Sequence, residues 1–222
     1  RTELTDRAIL RAVGPCRDQA ILDAGCGEGY MSRLLARRGA RVVGVDRSRA
    51  LIRAAAGHGG RRASAAHFVL GDIRALPLVS GGFDGVVCNH SLNEMRDPRP
   101  ALSECARVLR PGGRLVVLML HPCFYGGRDE SGRRIELDSG RYFSTRRLKQ
   151  RFSVSGLSSP APTVLWMLPL EAWFSSLAGT GFCVQGLWEP RPAPSAAAEP
   201  WWRENFRRPL FLLLVAVRQP AS

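Results

Sequence analysis

Short apolar runs alternate with amphipathic segments along the first half of the chain. The apolar runs have the length and composition of buried strands, and they lie at residues 20–23, 41–46, 67–70, 83–89 and 114–120. Between them, apolar residues recur at three- and four-residue spacing, which is typical of amphipathic helices at residues 31–38, 49–56 and 99–109. Strands that alternate with helices predict an α/β fold with a parallel sheet covered on both faces.

This rhythm stops after His121. Residues 122–162 are rich in Gly, Arg, Ser and isolated aromatic side chains, and they show no period long enough for a core element. We therefore expect a cap or lid inserted into one domain that spans residues 1–222. Beyond it, the pattern predicts a helix at 170–178 and strands at 183–188 and 210–218.

The chain has a net charge of +13 and a pI near 10.9, which raises a nucleic-acid partner as a possibility. Lys149 is its only lysine, and the arginines are scattered along the sequence instead of forming one stripe. This distribution disfavours a nucleic-acid site. The most apolar run, residues 210–217, is far shorter than the roughly 20 residues that span a bilayer, so we expect a cytoplasmic protein with no membrane partner.

The six cysteines form no C-x-x-C pair and no dense framework. The pattern therefore gives no support to a metal site or to a disulfide scaffold. Reduced thiols are the expectation for such a chain.

A glycine-rich turn follows the first strand. The sequence Asp23-Ala-Gly25-Cys-Gly27-Glu-Gly29 lets a ligand approach the backbone where a side chain would block it. The spacing differs from the dinucleotide fingerprint G-x-G-x-x-G, because the third glycine comes one residue early. The Asp23 carboxylate also suits a cationic amine better than a pyrophosphate, which it would repel.

This turn resembles that of the class I S-adenosylmethionine-dependent methyltransferases, in particular the small-molecule group with a D-x-G-C-G-x-G motif. The likeness continues through several later segments in the family's order. They are the strand 41–46 ending in Asp46, Leu70-Gly71-Asp72-Ile73, the strand 83–89, and the junction 107–117 containing Pro111-Gly112-Gly113. The resemblance implies a Rossmann-like, mostly parallel sheet of seven strands in the order 3-2-1-4-5-7-6, with helices on both faces and the cap after strand 5.

The resemblance also implies a cofactor, S-adenosyl-L-methionine, which leaves as S-adenosyl-L-homocysteine. Asp46 would accept hydrogen bonds from both ribose hydroxyls, which a single carboxylate can do. Asp72 and the Ile73 backbone N–H would contact the adenine, and Asn89 would accept from the amine of the methionine portion. The full expected cofactor set is Asp23, Gly25, Gly27, Asp46, Arg47, Asp72, Ile73 and Asn89.

Two histidines follow the fourth and fifth strands and are the candidate catalytic residues. In the family's strand order these strands are neighbours, so His90 and His121 would face the donor methyl group, and either imidazole could act as a general base. We favour His121, because the cap begins immediately after it. Methyl transfer can also proceed by positioning alone. The expected substrate contacts are Asn93, Tyr125, Tyr142 and Trp166.

These features predict S-adenosylmethionine-dependent methyl transfer to an O, N or C atom of a small molecule, such as an aromatic compound or a secondary metabolite. One alternative is a methyltransferase acting on RNA or protein, which only the arginine excess supports. Another is a catalytically inactive protein that kept the fold and binds the cofactor.

Overall fold

The computed structural model describes residues 2–57, 66–128, 134–137, 139–151, 153–154, 157–158, 162–192 and 199–220. The strands are β1 (Ala20–Ala24), β2 (Arg41–Asp46), β3 (Ala66–Leu70), β4 (Phe83–Asn89), β5 (Leu109–Leu120), β6 (Tyr125–Arg128), β7 (Arg134–Glu136), β8 (Arg146–Gln150), β9 (Ser153–Val154), β10 (Leu157–Ser158), β11 (Thr163–Met167), β12 (Phe182–Trp188) and β13 (Phe211–Arg218). The α-helices are α1 (Arg7–Val13), α2 (Tyr30–Arg37), α3 (Arg49–Gly57), α4 (Arg99–Val108), α5 (Leu170–Gly179) and α6 (Pro200–Asn205).

Seven strands form one sheet in the order β12-β13-β5-β4-β1-β2-β3. The pairs from β3 to β5 are parallel, whereas β13 is antiparallel to both β5 and β12. Because β12 and β13 are the sixth and seventh sheet strands along the chain, the predicted order 3-2-1-4-5-7-6 is confirmed. The predicted bounds 41–46 and 83–89 are also those observed.

Helices cover both faces of the sheet. Helices α1 and α2 pack through Ile9 and Leu35 against one face, and α4 and α5 pack through Leu102 and Trp173 against the other. The central strand β5 is buried without interruption from Leu115 to Leu120, as expected for a strand with a layer on each side. The core therefore lies in two layers, one on each side of the sheet.

The segment 122–162 contains more regular structure than its sequence suggested. Strand β8 pairs antiparallel with β11, and we call these residues, 146–150 and 163–167, the cap ribbon. Hydrogen bonds attach the ribbon to the chain that follows β5. The buried Arg146 guanidinium donates to the carbonyls of Tyr125 and Pro122 at 3.2 and 2.9 Å. The pairing joins segments thirteen residues apart, so no local periodicity could reveal it.

Within the described part of the chain, no helix is both long and apolar enough to cross a membrane. In the same residues, no group of three or more His, Cys, Asp or Glu side chains is arranged to hold a metal ion.

Candidate active site

A cavity of about 630 Å³ opens at the carboxyl ends of the parallel strands. This is the edge where open α/β sheets bind their ligands. Its walls are Gly25, Gly27, Asp46, Arg47, Ser48, Leu51, Asp72, Ile73, Arg74, Asn89, His90, Ser91, Glu94, Met95, Arg96, Asp97 and Pro100. The structure thus brings together every residue of the expected cofactor set except Asp23.

The glycine turn forms the floor of this cavity. Gly25 has a φ of +79°, and a Cβ added there would lie 2.3 Å from the Cβ of Ser91. At Gly27, with a φ of +57°, an added Cβ would meet no atom within 4 Å. The backbone is therefore closely packed at Gly25 and open towards the cavity at Gly27, where a ligand can lie against it.

Asp46 holds the turn and faces the cavity at the same time. Its Oδ2 accepts the Gly27 N–H at 2.9 Å, and its Oδ1 accepts the Ser48 N–H at 2.8 Å. Each carboxylate oxygen can accept more than one hydrogen bond. The carboxylate can therefore keep both backbone donors and still receive two hydroxyl groups.

Asn89 contributes a buried acceptor to the cavity. Its Oδ1 is inaccessible to solvent, and within the described residues it has no hydrogen-bond partner. Buried polar atoms in native proteins usually form hydrogen bonds. The Asn89 oxygen is therefore suited to accept a hydrogen bond from a ligand. An ammonium group such as that of S-adenosylmethionine would do so.

Asp72 is held by a residue that sequence reasoning did not single out. The Arg74 guanidinium binds both carboxylate oxygens, with Nη2 to Oδ2 at 2.5 Å, and this hydrogen bonding lowers the pKa of Asp72. Asp72 is therefore an ionised acceptor whose oxygens are already engaged. Adenine binding here has to share the carboxylate with Arg74.

Glu94 also lines the cavity, and its residue is exposed to solvent. Partial loss of hydration raises the pKa of its carboxyl, the charge of Arg47 opposes this, and repulsion from Asp46 adds to the rise. The cavity wall thus carries carboxylates, such as Asp46 and Glu94, beside guanidinium groups, such as Arg47.

Asp23 lies beneath the turn instead of in the cavity wall. It is 1% exposed and accepts the Ser32 hydroxyl at 2.6 Å, which ties β1 to helix α2. The expected contact between Asp23 and the cofactor amine is therefore not what the geometry favours. The Asp23 side chain points towards helix α2, and the glycine-rich motif does not reveal this direction.

The two histidines occupy different environments. His90 lines the cavity with a φ of +65°, and its ring meets Phe211 edge-on at a centroid distance of 5.5 Å. His121 is 3% exposed and does not line the cavity. Its Nδ1 accepts the Cys123 N–H at 3.2 Å and its Nε2 lies 3.1 Å from Glu189 Oε1. The expected preference for His121 over His90 is thus opposite to what the geometry favours, because both His121 nitrogens are engaged in holding the chain.

The four expected substrate residues also lie outside the cavity wall. Asn93 is buried and its Oδ1 accepts the Leu120 N–H at 3.3 Å, while Tyr125 is buried and donates to Gln150 Oε1 at 2.8 Å. The Tyr142 hydroxyl accepts the Leu170 N–H at 3.0 Å. Trp166 contacts a residue of the cavity wall, since the guanidinium carbon of Arg96 lies 5.7 Å from its ring centroid.

Sequence reasoning missed Ser91, Met95 and Arg96, which line the cavity after β4. Their position just past the carboxyl end of a strand was the only available signal. The Ser91 hydroxyl donates to the Ala24 carbonyl at 2.6 Å, which holds this loop against the end of β1.

A second cavity of about 380 Å³ lies at the opposite, amino edge of the sheet. Its charged groups bind the protein itself: Arg110 pairs with Asp84 at 2.6 Å, and Arg114 donates to the Ala12 carbonyl at 3.0 Å. The polar groups are thus used to hold the fold, and we place the functional site at the carboxyl edge.

The fold and this cavity define the class I S-adenosylmethionine-dependent methyltransferase architecture. Residues 22–117 match the family described as a methyltransferase domain. Residues 22–117 are therefore similar to a methyltransferase domain, and the chain has the fold of this class.

Known proteins support the same assignment. A demethylmenaquinone methyltransferase of Renibacterium salmoninarum is 37% identical over 119 residues, which are 53% of this chain and 48% of the relative. The chain thus spans about half the length of the curated relatives that it matches. An S-adenosylmethionine-dependent methyltransferase structure from Mesorhizobium loti has a TM-score of 0.74 at 24% identity, covering 96% of each chain. The 1,6-didemethyltoxoflavin-N1-methyltransferase of Burkholderia thailandensis, solved with bound 1,6-didemethyltoxoflavin and S-adenosylhomocysteine, has a TM-score of 0.62 at 18% identity over 97% of this chain and 76% of its own.

The Gly25 position provides a test of the turn. Replacing Gly25 by Ala combines a positive φ with a contact of 2.3 Å to Ser91, so the turn has to shift. We expect Gly25→Ala to lower the affinity for S-adenosylhomocysteine at least tenfold by calorimetry. Gly57→Ala, whose added Cβ meets no atom within 4 Å, is the matched control and should bind as the parent does. Parental affinity in Gly25→Ala would remove the turn from the binding site.

Proposed function

We propose that this chain transfers the methyl group of S-adenosylmethionine to a small-molecule acceptor. The observation that carries the proposal is the convergence of Asp46, Asp72 and Asn89 on one cavity, since these residues fit the ribose, the adenine and the ammonium group of that cofactor. The fold alone would not decide the matter, because one scaffold hosts many functions.

The residues divide the binding task between them. Asp46 accepts from the two ribose hydroxyls, the Ile73 N–H and Asp72 face the adenine, and Asn89 Oδ1 accepts from the ammonium group. When bound, S-adenosylmethionine supplies an electrophilic methyl group on a sulfonium centre. The carboxylates of Asp46 and Glu94 in the cavity wall suit a cofactor whose sulfonium and ammonium groups are both positively charged.

For an acceptor hydroxyl, we propose that His90 takes the proton. His90 lies at the carboxyl end of β4, where its backbone N–H donates to the Leu118 carbonyl at 2.9 Å and fixes the backbone. A non-glycine residue with positive φ stores strain that the surrounding structure must support, which is a common feature of functional positions. Imidazole is the side chain that most often serves as a general base in enzymes.

We further propose that the segment 122–162 covers the acceptor. Trp166 of the cap ribbon reaches Arg96 in the cavity wall, and this contact supports a cap that continues the site. The small hydrophobic cluster of Leu120, Tyr125, Leu165, Met167 and Leu210 fixes the base of the cap.

Asp46 provides the first test of the proposal. Asp46→Ala should weaken binding of S-adenosylhomocysteine about ten- to a hundredfold in calorimetry, since a charge-assisted hydrogen bond contributes about 1.5–3 kcal/mol. Glu171→Ala, an exposed carboxylate on α5, serves as the control and should leave affinity unchanged. Equal affinity in Asp46→Ala and the parent would contradict the assignment.

Measurements on one variant of each histidine distinguish a catalytic role from a structural one. With an acceptor found by mass spectrometry of metabolites incubated with labelled donor, His90→Asn should lower turnover at least tenfold while S-adenosylhomocysteine affinity is kept. Asparagine tolerates the positive φ of this position. His121→Gln should instead lower the thermal unfolding midpoint, because it loses the contact with Glu189. If only His121→Gln lost turnover while remaining folded, the base would be His121.

The cap can be examined by hydrogen exchange. We expect amides of the anchored strand β8 to exchange slowly with or without ligand, because Arg146 and Gln150 are buried there. Amides at 139–145 should slow when S-adenosylhomocysteine and acceptor are added. If the exchange rates at 139–145 were the same with and without both ligands, the cap would not depend on ligand.

A further inference from the structure

The cap ribbon has one buried face and one exposed, cationic face. Along β8, Arg146 is buried whereas Arg147 and Lys149 are exposed. In the antiparallel pairing with β11, Arg147 lies opposite Trp166 and Lys149 opposite Val164. Because cross-strand partners project on the same side of a sheet, the indole of Trp166 shares its face with both cations.

No acidic side chain accompanies these cations along the segment. Residues 139–170 contain Arg141, Arg146, Arg147, Lys149 and Arg151 but neither Asp nor Glu. The segment therefore carries an excess of positive charge between Asp138 and Glu171, which flank it, and such an excess attracts anions.

Trp166 joins this face to the cavity. The guanidinium of Arg96 lies over the Trp166 ring, with Cζ 5.7 Å from the centroid, and Arg96 also forms part of the cavity wall. A cation over an indole face is attracted by the ring quadrupole. The contact holds the guanidinium at the boundary between the cavity and the ribbon.

The charge of Arg96 is not neutralised by a neighbour. Its sequence neighbour Asp97 pairs with Arg99 at 2.8 Å, and the cavity residue Arg74 pairs with Asp72. Arg47 acts on Glu94 and Asp72. In the described portion of the chain, no carboxylate lies within ion-pair distance of Arg96 and no hydrogen bond involves it, so its donors can serve a ligand.

We infer that the methyl acceptor carries an anionic group, a carboxylate or a phosphate ester, which Arg96 binds in the wall of the cavity. The guanidinium presents paired donors that match the geometry of an oxyanion. The contact with Trp166 holds the Arg96 guanidinium against the cap ribbon, and the exposed Arg147 and Lys149 add attraction for an anion. The identity of this ligand as the acceptor rests on the proposed function.

A small anionic molecule fits these observations better than a nucleic acid does. The cavity of about 630 Å³ has the size of small-molecule sites. The exposed cations of β8 are few and occupy one short strand, whereas a nucleic-acid site uses a longer series of phosphate contacts.

The test compares acceptor analogues that differ in charge. Ligand-observed NMR on protein saturated with S-adenosylhomocysteine measures the binding of 4-hydroxybenzoate and phenyl phosphate, with 4-hydroxybenzamide as the neutral match. At least one anion should bind tenfold or more tightly than the amide, and comparing the two anions tells carboxylate from phosphate. Arg96→Gln should abolish the preference, whereas Arg37→Gln, an exposed arginine at the end of α2, should keep it.

Several outcomes would overturn the inference. They are equal binding of anion and amide, no binding of any probe, or a preference that survives in Arg96→Gln. Tighter binding of a single-stranded RNA oligonucleotide at physiological salt, lost in the double variant Arg147→Gln and Lys149→Gln, would replace the small anion by nucleic acid. If the parent protein did not bind S-adenosylhomocysteine, the proposed function would be contradicted instead. The same probe titrations on cofactor-free protein would then still measure the anion preference of Arg96.

Discussion

The carbonyl oxygen of Val45 accepts hydrogen bonds from the N–H groups of Gly25 and Cys26, at 2.8 and 3.0 Å. This double contact ties the turn after β1 to the end of β2 and brings the Gly27 N–H onto the Asp46 carboxylate. The loop after β4 closes on the same turn, since Ser91 occupies the space that a side chain at Gly25 would need. The cavity exists because these strand ends are joined at one point, and any residue larger than glycine there would separate them.

The cavity wall carries charged groups of both signs. Asp46 and Glu94 line it together with Arg96, whose guanidinium lies beside Trp166. The carboxylates would stabilise a cofactor with positive charges, and Arg96 would stabilise an anionic acceptor. The two ligands of the proposed reaction would therefore be sorted by charge as well as by shape. Such sorting would also hold the donor and the acceptor in a fixed mutual orientation, which by itself can accelerate a transfer between two reactants.

The histidines show how similar sequence positions can have different uses. Both follow strands of the sheet. His90 comes directly after β4 and lines the cavity, whereas His121 comes directly after β5 and begins the cap. The contacts of His121 with Cys123 and Glu189 join β5 and the segment after β12 at one point. A group with both ring nitrogens engaged in such contacts is better suited to holding the cap than to moving a proton.

The sequence by itself determined the sheet, the strand order through the family resemblance, and the cavity floor. Strand bounds such as Arg41–Asp46 follow from local patterning, and the turn at Gly25 follows from the need for positive φ, so neighbouring residues carry the information. Only the tertiary structure decided that the Asp23 side chain turns into the helix layer and that Arg96 meets Trp166. These features depend on side-chain direction and on the pairing of β8 with β11, whose partners are distant along the chain. Local sequence patterns cannot specify such non-local contacts, because their energy arises only when separate segments pack together.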